Sequence, residues 1–320
     1  MGQSETSLHA AKPFVKWAGG KRQLLPVIMR SLPHELNETA GFTYIEPFIG
    51  GGAVFFAMMQ QFPNIQKAVI NDINPDLIRA YKTIQQQPEK LIASLRKCET
   101  DYFKLKDEAE RKEFYLQMRQ TFNAGELSDV ENTTCFIFLN RTCFNGLYRV
   151  NSKGQFNVPF GRYAHPTICD AETIMADSEV LQKAEILCGD FETTDFFATA
   201  GTFAYLDPPY RPLSETSSFT SYSKEQFDDS DQRRLQKFFE RLTRKGCLLM
   251  LSNSDTSDHF FDDLYKDYNI QRVKAMRSLN ANASTRGMLS ELLIWNYQKN
   301  YKTTLLNDEK GFPIIHVATY

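Results

Sequence analysis

Phe203-Ala204-Tyr205-Leu206-Asp207-Pro208-Pro209-Tyr210 joins an apolar, β-prone run of four residues to an acid, two prolines and an aromatic. The pattern predicts a buried strand that stops abruptly, with Asp207 at its carboxyl end. Open α/β sheets carry their chemistry at that end. Two consecutive prolines fix φ and have no N–H, so Asp207 and the Pro208 carbonyl stand as acceptors with no donor beside them. Such a site suits an amino group on an aromatic ring, which offers two hydrogens and little nucleophilicity. Two acceptors gripping those hydrogens draw the lone pair back onto nitrogen as an electrophile approaches, and Tyr210 is placed to stack on the ring. The competing reading is a strand ending in a Pro-Pro turn, with Asp207 capping something nearby.

Upstream, a strand is expected over residues 44–48, followed by Ile49-Gly50-Gly51-Gly52-Ala53 as a turn into a helix. Glycines there let a ligand approach the backbone, with the helix amino terminus facing its negative group. Phe48, Gly50 and Gly52 are the candidate contacts. Residues 67–70 form the next strand and end in Asn71-Asp72, which puts Asp72 twenty residues beyond Gly52. In nucleotide-binding βαβ units an acid at that spacing takes ribose hydroxyls. Phe55 replaces the third glycine of the dinucleotide fingerprint, so a nucleoside without phosphates fits better, and S-adenosyl-L-methionine is the candidate. Asp72 also reads as a cap for the helix opened by Asn74-Pro75, and the two roles are compatible. Gly19-Gly20-Lys21 lacks phosphate-loop spacing and Arg22 stands where Ser or Thr is needed, so a nucleoside triphosphatase is rejected.

Downstream, a strand over 185–188 ends in Gly189-Asp190-Phe191, where an acid and an aromatic either take an adenine ring or only turn the chain. Residues 212–227, rich in Ser, Thr and aromatics, read as a loop closing on the substrate. A helix over 231–244 carries Leu235, Phe238, Phe239 and Leu242 at helical spacing and stops at Gly246. Three more strands are expected at 247–251, 270–276 and 292–295, with a polar, basic loop at 277–289 as a phosphate contact.

The α/β rhythm is lost between residues 81 and 184. Charged helical segments lead into a run from Asn140 to Tyr163 in which Asn-Gly and Lys-Gly turns separate short β-like pieces, as in a hairpin. Arg141, Asn145, Asn151 and Arg162 alternate there with aromatics. Arginine reads guanine in the major groove, Leu and Pro press on a thymine methyl, and an aromatic wedges into the base stack. The insert is thus a candidate reader of nucleic acid, or else only a lid over the cofactor.

Composition frames these readings. A chain of 320 residues holds one large domain, or a domain with a sizeable insertion. No run approaches the about 18–20 apolar residues of a membrane span, and the amino terminus has no signal-type apolar core, so a cytoplasmic protein is expected. Six scattered cysteines without a C-x-x-C pair and five histidines without ligand spacing point to reduced, mostly buried thiols and no metal. The net charge of −2 argues against a uniformly basic nucleic-acid binder. Its distribution matters more: residues 10–32 hold five Lys or Arg and no acid, 132–164 four and none, 271–290 four and none. These stretches, Lys16 among them, form either one phosphate-facing surface or three solvated loops.

Taken together, several segments resemble the Dam-type (D12 class, alpha group) DNA adenine N6-methyltransferases. They are Phe14-Val15-Lys16-Trp17-Ala18-Gly19-Gly20-Lys21, Glu46-Pro47-Phe48-Ile49-Gly50-Gly51-Gly52, Asn145-Gly146-Leu147-Tyr148-Arg149, Phe156-Asn157-Val158-Pro159-Phe160-Gly161-Arg162-Tyr163, Asp207-Pro208-Pro209-Tyr210 and Leu213-Ser214-Glu215-Thr216-Ser217-Ser218-Phe219-Thr220-Ser221-Tyr222. The resemblance runs from about residue 13 to 297 and looks closest to members that modify GATC. It implies an α/β fold: a doubly wound, mostly parallel methyltransferase (Rossmann-like) sheet with one antiparallel hairpin strand at the edge. An inserted, mainly helical target-recognition domain would carry a β-hairpin. Residues 10–80 and 185–297 would form the catalytic part, 81–184 the insert, and 298–320 a tail of no assigned role. The resemblance further implies cofactor contacts from Trp17, Lys21, Asp72 and Asp207, with Asp190 at the adenine and Phe191 beside it. Phe144, Leu147, Arg149 and Pro159 would lie in the major groove of double-stranded DNA. Phe144 stands where some relatives have tyrosine. A monomer is expected, since each strand of a palindrome can be modified in turn. The rival classes are a methyltransferase for RNA or a protein amide, which use similar Asp/Asn-Pro-Pro-Tyr turns, and a DNA-binding regulator that keeps the fold without turnover.

Overall fold

The computed structural model of the chain describes residues 10–211, 227–276, 288–298, 305–307 and 313–315. Of the loop expected at 212–227 all but Phe227 lies outside the described residues, the segment 213–222 included. Of the basic loop expected at 277–289, residues 277–287 lie outside, the last two opening a strand instead, and most of the tail lies outside as well.

Among the described residues, the main sheet has seven strands in the order β3-β2-β1-β4-β5-β7-β6. The chain opens with α1 (Leu25–Arg30) and α2 (Glu35–Glu38), then β1 (Phe42–Glu46), α3 (Ala53–Gln61), β2 (Ile65–Asp72) and α4 (Pro75–Gln86). Four helices follow without a strand: α5 (Pro88–Phe103), α6 (Glu108–Ala124), α7 (Asp129–Thr142) and α8 (Ala171–Leu181). The alternation then resumes with β3 (Ala184–Cys188), β4 (Phe203–Leu206), α9 (Asp229–Arg244), β5 (Leu248–Ser254), α10 (Phe260–Leu264), β6 (Asn269–Met276) and β7 (Met288–Trp295). Two short strands, β8 (Leu305–Asn307) and β9 (Pro313–Ile315), pair with each other.

β1 to β5 are mutually parallel, and β7 runs antiparallel to both β5 and β6. The expected single reversed strand exists, but it is not at the edge. β7 inserts between β5 and β6, because the β6–β7 hairpin folds back onto β5 by its second strand. The strand order reverses between β1 and β4, so the carboxyl ends of these two neighbours flank the crevice where open α/β sheets bind ligands.

Strand side chains alternate between two apolar layers, as a sheet covered on both faces requires. Tyr44, Phe203 and Tyr205 belong to one cluster with Phe55, Tyr81, Tyr102 and Phe138, whereas Ile45, Ala204 and Leu206 belong to the other with Leu235, Phe238 and Phe239 of α9. Burying each such side chain contributes about 1.5–3 kcal/mol. The helical insert therefore has no separate core: its aromatics share the first layer with the sheet, and the boundary expected at residue 81 falls inside α4. The expected hairpin is reduced to two antiparallel backbone pairings, Cys143 with Phe160 and Val150 with Phe156. All six cysteines are free thiols, and four of them are buried.

The turn into α3 is fixed by glycine. Gly52 caps the helix at φ +75°, and a Cβ there would lie 2.5 Å from the Tyr81 hydroxyl. That hydroxyl is itself tied to the Gly50 carbonyl at 3.0 Å. Gly52→Ala is expected to lose about 1–2 kcal/mol from the left-handed backbone plus a further about 1–3 kcal/mol from the collision. Gly125→Ala, at φ +76° with open space around it, should lose only the backbone share. Urea unfolding of the two variants checks this; equal losses would contradict it.

Candidate active site

The turn after β4 places Asp207 at the cleft beside the carboxyl ends of β1 and β4. Its Oδ1 is 2.9 Å from Lys21 Nζ and accepts a 2.9 Å hydrogen bond from Ser252 Oγ, whose oxygen is 2.9 Å from the Tyr205 hydroxyl. Lys21 arrives from the 3-10 turn after Gly19-Gly20, donates to the Gly19 carbonyl at 3.0 Å, and lies 4.3 Å from the centroid of the Tyr210 ring. Tyr210 in turn donates to Glu291 Oε2 at 2.7 Å, which fixes its ring beside the carboxylate. Burial raises the Asp207 carboxyl above its ordinary value, although the Lys21 ammonium and the Ser252 hydroxyl both favour the carboxylate. Burial and the nearby acids push the Tyr210 hydroxyl well up, so it remains a donor.

Next to this cleft the glycine turn meets the end of β2. Gly50, at φ +47°, donates its N–H to Asp72 Oδ2 at 3.0 Å, and Asp72 Oδ1 accepts from the Asn74 amide at 2.9 Å. The cap of α4 is Asn74, which accepts from Asp76 and Leu77; Asp72 instead ties the glycine turn to the start of that helix. Burial raises the Asp72 carboxyl even so. Trp17 covers the turn: a Cβ on Gly50 or Gly51 would lie 3.0 or 3.1 Å from its side chain, and its indole stacks on Tyr148. Asn71, fully buried, donates to the carbonyls of Pro47 and Gly189 and so laces the ends of β1, β2 and β3 together. Two further residues were not anticipated. Ile73, beside Asp72, is a large apolar side chain left 65% exposed, and Glu46, buried at the end of β1, accepts a 2.6 Å hydrogen bond from Tyr44. Burial raises the Glu46 carboxyl well above its usual range.

Two of the expected cofactor contacts are engaged elsewhere. Both Asp190 oxygens are held by the Arg234 guanidinium at 2.9 Å, and one caps the following 3-10 turn at the Glu192 amide. The turn contact expected of Asp190 is present in this bond to Glu192. Phe191 is core rather than a cleft wall, packed against Phe48, Phe227 and Phe238 with Arg234 over its ring at 4.4 Å. Phe48 is the more exposed partner of that pair.

The insert meets the amino-terminal segment through Asn140. This buried side chain of α7 accepts from the Lys16 amide at 2.8 Å and donates to the carbonyls of Lys16 at 2.8 Å and Gly146 at 3.0 Å. Lys16 lies 4.6 Å from the Tyr163 ring centroid, and the Tyr163 hydroxyl accepts from the Asn145 amide, a residue at φ 55°. Phe144 is 52% exposed, and exposed Pro159 accepts the Phe144 amide through its carbonyl. Leu147 is half-buried beside them.

Other expected base readers have structural partners. Arg141 turns inward to the Phe14 carbonyl at 2.6 Å, and Arg149 folds onto Asn157 through Nε and Nη2. Asn151 shapes its own turn by accepting from the Lys153 and Gln155 amides. Arg162, at φ 56°, is exposed and pairs with Glu108 at 3.3 Å. Among the described residues no group of three or more His, Cys, Asp or Glu is placed to hold a metal, and no helix is long and apolar enough to cross a membrane.

Comparison with known proteins gives this arrangement its family. The type II methyltransferase M.MjaIII of Methanocaldococcus jannaschii is 48% identical over 289 residues, covering 89% of this chain and 99% of its own. The type II methyltransferase M1.LlaDCHI of Lactococcus lactis subsp. cremoris is 45% identical over 291 residues, covering 89% and 95%. A DNA adenine methylase of Haemophilus influenzae is 35% identical over 283 residues, covering 88% and 92%. The model of the D12 class N6 adenine-specific DNA methyltransferases matches residues 17–279, and with the Asp207 turn lying inside that match the chain belongs to this family of enzymes.

Proposed function

We propose that the protein transfers a methyl group from S-adenosyl-L-methionine to N6 of an adenine flipped out of double-stranded DNA, with GATC as the target. The observation that carries this reading is the placement of Lys21. Its ammonium lies 2.9 Å from the Asp207 carboxylate and 4.3 Å from the Tyr210 ring centroid, so one nitrogen with hydrogens to give sits between an acceptor and an aromatic face. An amino-bearing base meets the same two groups by hydrogen bonding and stacking, and flipping it from the duplex costs roughly a few kcal/mol.

Asp207 and the Pro208 carbonyl accept the two amino hydrogens. This localises the nitrogen lone pair without a covalent intermediate, and positioning and charge complementarity supply most of the acceleration. Bound S-adenosyl-L-methionine supplies the electrophilic sulfonium methyl. The residues that suit it are the left-handed glycine turn under Trp17, Lys21, Phe48 and the Asp72 carboxylate, with exposed Ile73 offering an apolar face for the adenine ring. Asp190 contacts that adenine only if it leaves Arg234.

GATC rests on the likeness of the segments 145–149 and 156–163 to those of GATC-modifying members, while the relatives named DNA adenine methylase support adenine as the base modified. On this reading Lys16, Phe144, Leu147 and Pro159 face the major groove directly, and Arg149 reaches a base by exchanging Asn157 for it. Arg141 positions the amino-terminal segment. The names of two relatives support a type II modification setting; a monomer suffices because each strand of a palindrome can be modified in turn, and a DNA substrate suits a cytoplasmic protein.

Asp207→Ala removes the acceptor oxygens altogether. It is expected to lower kcat by at least about 10²-fold while the protein still unfolds cooperatively on heating; turnover near that of the wild type would sink the proposal. Turnover also needs ionised Asp207, whose carboxyl is raised by burial and held down by Lys21. The kcat profile should therefore fall as pH drops through a value above the usual carboxylate range. Lys21→Met removes the ammonium that favours the carboxylate, so the acid limb should move to higher pH. A limb that stays in place or moves down would contradict this assignment.

A further inference from the structure

We propose that Gln232 and Asn253 are positioning residues for methyl transfer, a hydrogen-bonded pair that fixes the Pro209 carbonyl and leaves the neighbouring Pro208 carbonyl to the substrate amine. The proposal rests on the reading of the Asp207 turn given above. A Pro-Pro turn cannot fasten itself, since neither proline has an N–H. Its prolyl rings fix φ at 208 and 209 and the intervening peptide is planar, so the Pro208 carbonyl is aimed by two ψ angles alone. Those angles are set from outside the turn.

Gln232 Nε2 donates to the Pro209 carbonyl at 3.1 Å, and Gln232 Oε1 accepts from Asn253 Nδ2 at 3.1 Å. Asn253 Oδ1 faces the Arg211 amide at 3.4 Å, and Ser254 Oγ donates to the Arg211 carbonyl at 2.7 Å. With Ser252 on Asp207, the chain from 207 to 211 is held by donors and acceptors from α9 and the end of β5. Among the described residues no hydrogen bond reaches the Pro208 carbonyl.

The location of these groups is the second argument. Gln232 and Asn253 are completely buried, and Gln232 is the lone polar member of the buried face of α9, whose other members are Leu235, Phe238, Phe239 and Leu242. Polar side chains in such a layer cost stability unless every donor and acceptor is matched, so packing alone favours apolar residues at both positions. Their hydrogen bonds go to residues 209–211, to each other and, at Asn253 Oδ1, to Ser254, which itself donates to the Arg211 carbonyl.

The test is steady-state methylation of a GATC duplex by Gln232→Met, Asn253→Leu and the double variant, each checked by thermal unfolding. Gln232→Met should lower kcat about 10–100-fold, as a small misplacement of a reacting group does, with KM for both substrates within about twofold of wild type. The double variant should be no worse than the worse single one, because both act through one carbonyl. Gln232→Asn, one methylene too short to reach, should show the same loss in kcat, and it serves if the methionine variant does not fold. A folded Gln232 variant with wild-type kcat, a rise in KM alone, or single losses that multiply in the double variant would each overturn the proposal. Asp207→Ala is run beside them. If it turns over normally, the reading of the turn fails; if it is inactive while the Gln232 variants are unimpaired, only the positioning role fails.

Discussion

Two prolines after Asp207 leave the turn with carbonyl and carboxylate oxygens but no N–H at 208 or 209, and the architecture around it answers that deficit. The N–H and O–H groups that steady it come from other elements: Lys21 from the amino-terminal segment, Ser252 from β5 and Gln232 from α9. Tyr210, the last residue of the turn, is itself a donor and is met by Glu291 of β7. Each donor requires its own element to end at the same rim of the sheet. The reversal of strand order between β1 and β4 brings those ends together and opens the crevice beside them.

The same amino-terminal segment joins the turn to the insert. Asn140 holds both backbone polar groups of Lys16 and also the Gly146 carbonyl, and five residues after Lys16 the chain delivers Lys21 to Asp207. Gly146 is required at this crossing, since a Cβ there would collide with the Lys16 side chain. The turn at Asn145-Gly146 and the Asp207 carboxylate are thus linked by one short, hydrogen-bonded path. Sharing an apolar layer with the sheet makes the insert a rigid neighbour of that path rather than a tethered module.

Much of this was legible in the sequence where the signal is local. The strand from Phe203 to Leu206 is announced by its apolar run and ended by Asp207-Pro208, and Asp72 is located by its distance from the glycine turn. What escaped depends on partners far apart in the chain. Asp190 looks like a free acid, but Arg234, 44 residues later, takes both its oxygens. Arg141, Arg149 and Asn151 look like readers, yet a backbone carbonyl, Asn157 and a local turn engage them. Glu46, Asn71 and Ile73 lie at strand ends, where each passes for an ordinary strand residue. Only the parallel placement of β1, β2 and β3 exposes their roles. The edge place expected for the reversed strand comes from the family resemblance, whereas the continuous apolar run Leu292-Leu293-Ile294 of β7 suits the interior place it takes between β5 and β6.

The central claim is that the amino group of an adenine in GATC is the methyl acceptor. It is tested most directly by incubating the protein with S-adenosyl-L-methionine labelled in its methyl group and two duplexes, one with a GATC site and one with that adenine replaced. The account predicts label in the first duplex alone, recovered as N6-methyladenine. Equal label in both would discard the GATC target, and label in neither would contradict the account.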